Sequence, residues 1–190
     1  MKALVAGSLL AIATITPAAA LDSPLIDSAG LQQALAAESV QIIDIRAPEG
    51  EGSYAGGHIE GAVSAPYPLF RGPAENPGQL PDLATLEGTV ESLGLQPDRP
   101  VVVTYQGASV SDFGAAARVY WTLKSLGFEE LAILNGGIEA WSEAGLALST
   151  DAVTPVPSAL DLGWNGTWTA TTDEVRTIVD GEAEARLVDA

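Results

Sequence analysis

The chain has no cysteine, one histidine (His58), and only 8 Lys and Arg residues against 25 Asp and Glu in 190 positions. The missing cysteine excludes disulfides and any chemistry that runs through a thiolate. One histidine without cysteine leaves no zinc set. The acidic residues nowhere alternate around a central glycine as a calcium loop requires. No metal and no cofactor is expected. A formal net charge of -17 with no basic cluster does not fit a phosphate backbone, which needs Lys and Arg to neutralise it. Nucleic acid and an anionic membrane surface are therefore not expected as partners, and the acidity reads as a solvated surface.

The apolar run that is present lies at the start. Lys2 precedes the run Ala3 to Ile15, Pro17 breaks it, and Ala18-Ala19-Ala20 is a small-residue cleavage site. This pattern predicts a secretory signal peptide over 1–20, too short to span a bilayer comfortably. Export, with a periplasmic location and no membrane attachment after cleavage, is the expectation. About 170 residues follow, enough for one ordinary domain and something more.

From Ser28 onward short strands alternate with helices. Leu31, Leu35 and Ala36 share a helical face with Ser28 as a possible cap, and "VQIIDIR" (40–46) reads as a buried strand. "SYAGGHIEGA" (53–62) is a glycine-punctuated loop leading to a short strand near Val63. Residues 66–81 carry five prolines and read as an irregular connection. A helix is predicted from Leu83 to Leu93, stopped by Gly94. Val101–Tyr105 is the next buried strand, Phe113–Leu126 a helix stopped by Gly127, and 131–135 a further strand. Gly136-Gly137 opens a short helix ending near Trp141. Strands separated by single helices predict an α/β fold, a parallel β-sheet with helices on both faces.

Residues 149–169 lose this pattern and read as a Pro-containing linker. Beyond them, "TTDEVRTIVDGEAEARLVDA" (171–190) sets beside "DSAGLQQALAAESVQIIDI" (27–45). Val175 and Val179 repeat the spacing of Leu31 and Leu35, and "RLVDA" repeats "QIIDI", a repeat at about 145 residues. A lone helix and strand would leave an apolar face uncovered. The expectation is one complete domain at 26–148 and the start of a second, truncated repeat at 170–190.

The stretch after the "VVVTY" strand, Gln106-Gly107-Ala108-Ser109-Val110-Ser111-Asp112, lies where open α/β proteins bind ligands. "GASVS" (107–111) is similar to a strand–G-x-S-x-G–helix nucleophile elbow with Ser109 as attacker. Ser111, however, replaces the last glycine, and His58 precedes the serine, whereas the elbow's histidine comes last. A P-loop fits worse, because Gly107 and Gly114 are too far apart and no Gly-Lys-Ser/Thr follows.

"IIDIR", "YAGGHIEGAVSAP", "VVVTY…GAAARVYWTLKSLGF" and "LAILNGGIEAW" resemble, in order, the successive signatures of the rhodanese family of sulfurtransferases. The tandem arrangement resembles that of two-domain thiosulfate and mercaptopyruvate sulfurtransferases. The resemblance implies a cysteine at the start of the loop after "VVVTY", its thiol acidified by loop amides and a helix dipole and able to carry an anionic persulfide. Here the loop begins Gln106-Gly107, and neither Gln106 nor Ser109 nor Ser111 can carry a persulfide. No catalytic residue is therefore expected in this chain. In two-domain members the first domain commonly lacks the cysteine and the second carries it. The resemblance thus implies the N-terminal part of an exported sulfurtransferase. It would move sulfane sulfur from thiosulfate or a similar small anion to a thiophilic acceptor, with its own second domain as partner. The alternative is a non-enzymatic binding or regulatory module in which both domains have lost the chemistry.

Four further residues bear on the site. His58 could be a general base, but it matches a family turn where the ring holds loop conformation. Asp44 and Arg46 could tie the loops at the sheet's carboxyl end or form a surface pair. Arg118 could lend charge to an anion or enter an ion pair. Trp121, Trp141 and Phe128 read as core. Ser111 and Asp112 are candidate N-caps for a helix at Phe113, and a negative Asp112 would repel an anion.

Overall fold

The structure, a computed structural model, describes residues 21, 23–37 and 39–188; the predicted signal peptide lies outside the described residues. Five parallel strands form one sheet: β1 (Leu25–Ile26), β2 (Gln41–Asp44), β3 (Val63–Ser64), β4 (Val101–Thr104) and β5 (Leu131–Leu134), in the order β1-β5-β4-β2-β3. Strand β2 pairs in register with β4 from Gln41↔Val101 to Asp44↔Thr104, and β4 pairs with β5 from Val101↔Leu131. The central strands are apolar at nearly every position because both faces of the sheet are covered.

Alternation along the strands divides the core in two. Ile43, Val101, Val103 and Ile133 face α2 (Leu83–Ser92) and α3 (Val110–Ser125), meeting Leu86, Val90, Val119 and Leu123. Ile42, Val102, Ala132 and Leu134 face the other way, toward α1 (Ser28–Ala36) and α4 (Gly137–Glu143), meeting Leu31, Ile138 and Trp141. Helices thus cover both faces, as the alternating pattern predicts.

Several boundaries differ from expectation. The cap of α1 is Asp27, not Ser28, its carboxylate accepting from Gly30 N at 2.8 Å. Helix α3 begins at Val110, and its cap is Ser109 rather than Ser111 or Asp112, with Ser109 Oγ accepting from Asp112 N at 3.2 Å. The small polar residues 106–112 read as loop, yet Ser-x-x-Asp is a capping pattern that starts a helix early. The connection at 66–81 contains one 3-10 turn, Tyr67–Phe70. Strand β1 carries no sequence signal, because two residues are too few to show a period.

Residues 149–151 pair with His58, and from Val156, whose carbonyl lies against Gly94, the segment runs along the α2–α3 face. Leu160, Leu162 and Trp164 pack against the core there, Asn165 N donates to Ser125 O at 2.7 Å, and Ser158 N donates to Glu91 O at 3.0 Å. Trp121 is half-buried rather than core. Its Nε1 donates to Trp168 O at 2.8 Å and its ring meets Trp164 edge-on at 5.4 Å. Phe128 and Trp141 are buried. A last helix, α5 (Thr172–Val179), buries none of its side chains.

Candidate functional site

From β2 the chain passes to β3 on one side, and from β4 to β5 on the other. The crevice beyond the carboxyl ends of β2 and β4 is therefore the switch point where open parallel sheets take ligands. Ile45, Arg46 and Ala47 leave β2 into it, and Tyr105 and Gln106 leave β4 into it. Tyr67, Glu51, Asp112 and Ala115 complete the wall of a cavity of about 390 Å³.

Asp44 and Arg46 organise its floor. Both are buried, and their carboxylate and guanidinium meet at 2.6 Å. Arg46 Nε also donates to Asp44, Nη2 donates to Gly57 O at 2.6 Å, and Nη1 donates to Gly52 O at 3.2 Å and Gln106 Oε1 at 3.5 Å. A guanidinium has five N–H donors, and these contacts engage all of them. The pair is internal, not at the surface, and it ties the loops after β2 and β4 together.

Gln106 occupies the loop position where the sulfurtransferase resemblance implies cysteine. Its Oε1 accepts from Arg46, and its Nε2 donates to Glu139 Oε1 at 3.3 Å. Gly107 follows with φ +96°, and a Cβ there would stand 2.1 Å from Gly136 O, so only glycine lets the two loops touch. The second and third amides of α4 are consumed by this contact: Ile138 N donates to Tyr105 O and Glu139 N to Gln106 O. The "NGG" turn is thus a backbone clamp on the loop. Burial pushes the Tyr105 phenol up, with Gly136's main chain lowering it and Asp112's charge adding to the rise.

The other residues singled out lie apart from one another. Ser109 is exposed and spends its hydroxyl as a helix cap. His58 is buried and stacks on Tyr54, with Nδ1 3.0 Å from Tyr54 O and Nε2 3.1 Å from Asp151 O. Both ring nitrogens meet main-chain carbonyls, so the ring is not a base for Ser109, and the hydrolase reading fails. Arg118 enters no ion pair among the described residues. It lies over the Trp121 ring at 4.9 Å and donates to Gly78 O at 3.2 Å, holding the 72–79 loop. Sequence reasoning missed Glu51, Tyr67, Tyr105 and Glu139. Glu139 was findable as a first-turn acid of the short helix. Glu51 and Tyr67 come from irregular segments that carry no period.

This is the geometry of a parallel α/β domain with a strand–loop–helix cradle and no nucleophile in it. The rhodanese-like domain model matches residues 27–144, and the chain belongs to that family. SseB of Mycobacterium tuberculosis is 34% identical over 139 residues, 67% of this chain and 45% of that protein. Thiosulfate sulfurtransferase of Pseudomonas aeruginosa is 31% identical over 171 residues, 89% of this chain and 60% of its own. The crystal structure of SseA from Escherichia coli, a 3-mercaptopyruvate sulfotransferase, superposes with a TM-score of 0.68 at 24% identity. It is covered over 63% of its length by 84% of this chain, a likeness of fold. The chain spans about half the length of the curated relatives it matches, and it lacks the catalytic cysteine of the family.

Proposed function

We propose that this chain is the first, catalytically silent unit of an exported two-unit sulfurtransferase. The observation that carries the reading is the loop after β4, where Gln106, matched by the resemblance to the persulfide cysteine, has its side chain held by Arg46 and Glu139. The relatives are longer than the chain, and the sequence likeness of 171–190 to 27–45 is further support for a second unit that holds the thiol. There the thiolate would attack the outer sulfur of thiosulfate. The S–S bond breaks, sulfite leaves with the electron pair, and a persulfide forms. Cyanide or a physiological thiophile then takes the outer sulfur and restores the thiolate. The predicted signal peptide supports a periplasmic setting, in which 1–20 is removed. Among the described residues no helix is long and apolar enough to cross a membrane.

Thiosulfate:cyanide transfer tests this. The 190-residue chain should form no thiocyanate, whereas the proposed longer protein should form it and lose the activity when its second-unit cysteine becomes serine. A longer product without such a cysteine, or inert with it, would favour the non-enzymatic module. The retained cavity beside a fully engaged Gln106 is the feature that speaks for that second reading.

A further inference from the structure

The cavity at the carboxyl ends of β2 and β4 has the wrong charge for the anions that the sulfurtransferase chemistry uses. Its one lining cation, Arg46, is neutralised by Asp44, and its five donors all point at chain acceptors. The Gln106 amide is engaged at both ends. What remains on the wall is Glu51 and Asp112, neither in an ion pair among the described residues, set among Tyr67, Tyr105 and Ala115. Asp112 also occupies the first turn of α3, the helix end that would otherwise favour an anion. The surrounding chain, at a net charge of -17, draws cations and repels anions at long range.

We infer that this cavity is a binding site for a small organic cation with an apolar body, such as an aryl or alkyl ammonium. About 390 Å³ is within the usual range for a small-molecule pocket. Carboxylates beside aromatic rings suit a weakly hydrated cation, through charge and through the negative ring face. A metal ion would find no three-ligand set among the described residues, and an apolar neutral ligand would leave the two carboxylates unused. The inference stands apart from the sulfurtransferase proposal, since it is argued from the lining of this pocket alone.

The test is titration of the isotope-labelled chain, followed by amide NMR, with benzyltrimethylammonium, benzyl alcohol and thiosulfate in turn. The cation should give saturable shifts at the amides of Ala47, Gly52, Gln106 and Asp112, with at least about tenfold weaker binding of the neutral alcohol and none of thiosulfate. Asp112→Asn and Glu51→Gln should each weaken the cation severalfold, and together at least about tenfold. Glu51 is exposed, so its variant keeps the test valid should the other fold poorly. Absence of saturation by the cation would overturn the inference. So would equal binding of the alcohol, indifference to both substitutions, or thiosulfate shifting the same amides.

Discussion

Tyr54 and His58 lie face to face, ring centroids 3.8 Å apart and planes 6° from parallel, and together they close the turn that leads into β3. Tyr54 Oη donates to Ala62 O at 2.7 Å, while His58 pairs with Ser149 through both main-chain groups. The stack therefore joins the 53–62 loop to the segment that follows α4. His58→Ala removes a buried ring and its contacts to Tyr54 O and Asp151 O. It should destabilise the chain by about 2–4 kcal/mol in denaturant unfolding. Sulfur transfer by the proposed longer protein should stay within about tenfold, roughly 1.4 kcal/mol in the barrier. A loss of several orders of magnitude in a folded variant would make His58 catalytic.

Asp44 and Arg46 are a buried pair, so removing one partner strands a charge. Asp44→Ala should cost about 3–5 kcal/mol, and the double change Asp44→Leu with Arg46→Met should cost less than that single one. The double variant still loses the ties to Gly52 O and Gly57 O and should not recover fully. Chemical denaturation of both proteins decides this. A double variant as unstable as the sum of its singles would mean that the charges are not coupled.

Gly107 and Gly127 share the same backbone angle, φ +96°, but not the same surroundings. A Cβ at 127 meets nothing within 4 Å, whereas a Cβ at 107 stands 2.1 Å from Gly136 O. Gly127→Ala should cost the conformational strain alone, about 1–3 kcal/mol. Gly107→Ala should cost at least about 2 kcal/mol more, because the clamp between the β4 loop and α4 must open. Equal melting temperatures for the two variants would show that the clamp contributes nothing.

Much of this architecture is legible in the residues. Unbroken apolar runs such as Val101–Val103 announce doubly covered parallel strands, and Gly94 and Gly127 mark helix ends by position. The start of α3 is less legible, because Gly107 to Ser111 look like loop although Ser109 with Asp112 is a cap. The site was half legible. Gln106, Arg46 and Asp112 sit at the ends of periodic segments and were found. Tyr67 and Glu51 reach the cavity from irregular chain, where nothing local marks what they will face. Nor does any pattern reveal that Arg46 spends its whole donor set internally; that emerges only when four segments converge.

Burial raises the phenols of Tyr54, Tyr105 and Tyr120, so the fold holds them neutral. For an acid whose folded value is raised, the unfolded chain ionises first as pH climbs. The contribution to stability is therefore complete below the ordinary phenol value and is lost as pH rises through the folded one. Melting temperature should fall steeply above about pH 10, with little change from these groups between neutrality and that point. Tyr120→Phe should flatten the alkaline decline, since desolvation alone raises that phenol. A profile identical to the parent's would remove Tyr120 from the account.

Helix α5 tests the domain boundary. Its start is well made: Thr171 Oγ1 accepts from Glu174 N at 3.2 Å, and Glu174 Oε2 accepts from Thr171 N at 2.6 Å. That reciprocal cap holds the Glu174 carboxyl below its ordinary range. Yet eight residues are too few to stay helical without packing. None of the α5 side chains is buried, and Val179 and Val188 are 67% and 78% exposed. Amides of 172–188 should accordingly exchange within about tenfold of the unfolded rate, while those of β2, β4 and β5 exchange only by larger openings. Limited proteolysis should cut after about residue 170 first and leave 26–148 whole. In the proposed longer protein, the same segment should be protected, its apolar face of Val175, Ile178 and Val179 covered by the second sheet. If 172–188 of the 190-residue chain exchanges as slowly as β4, the segment belongs to the first unit and the second-unit reading fails.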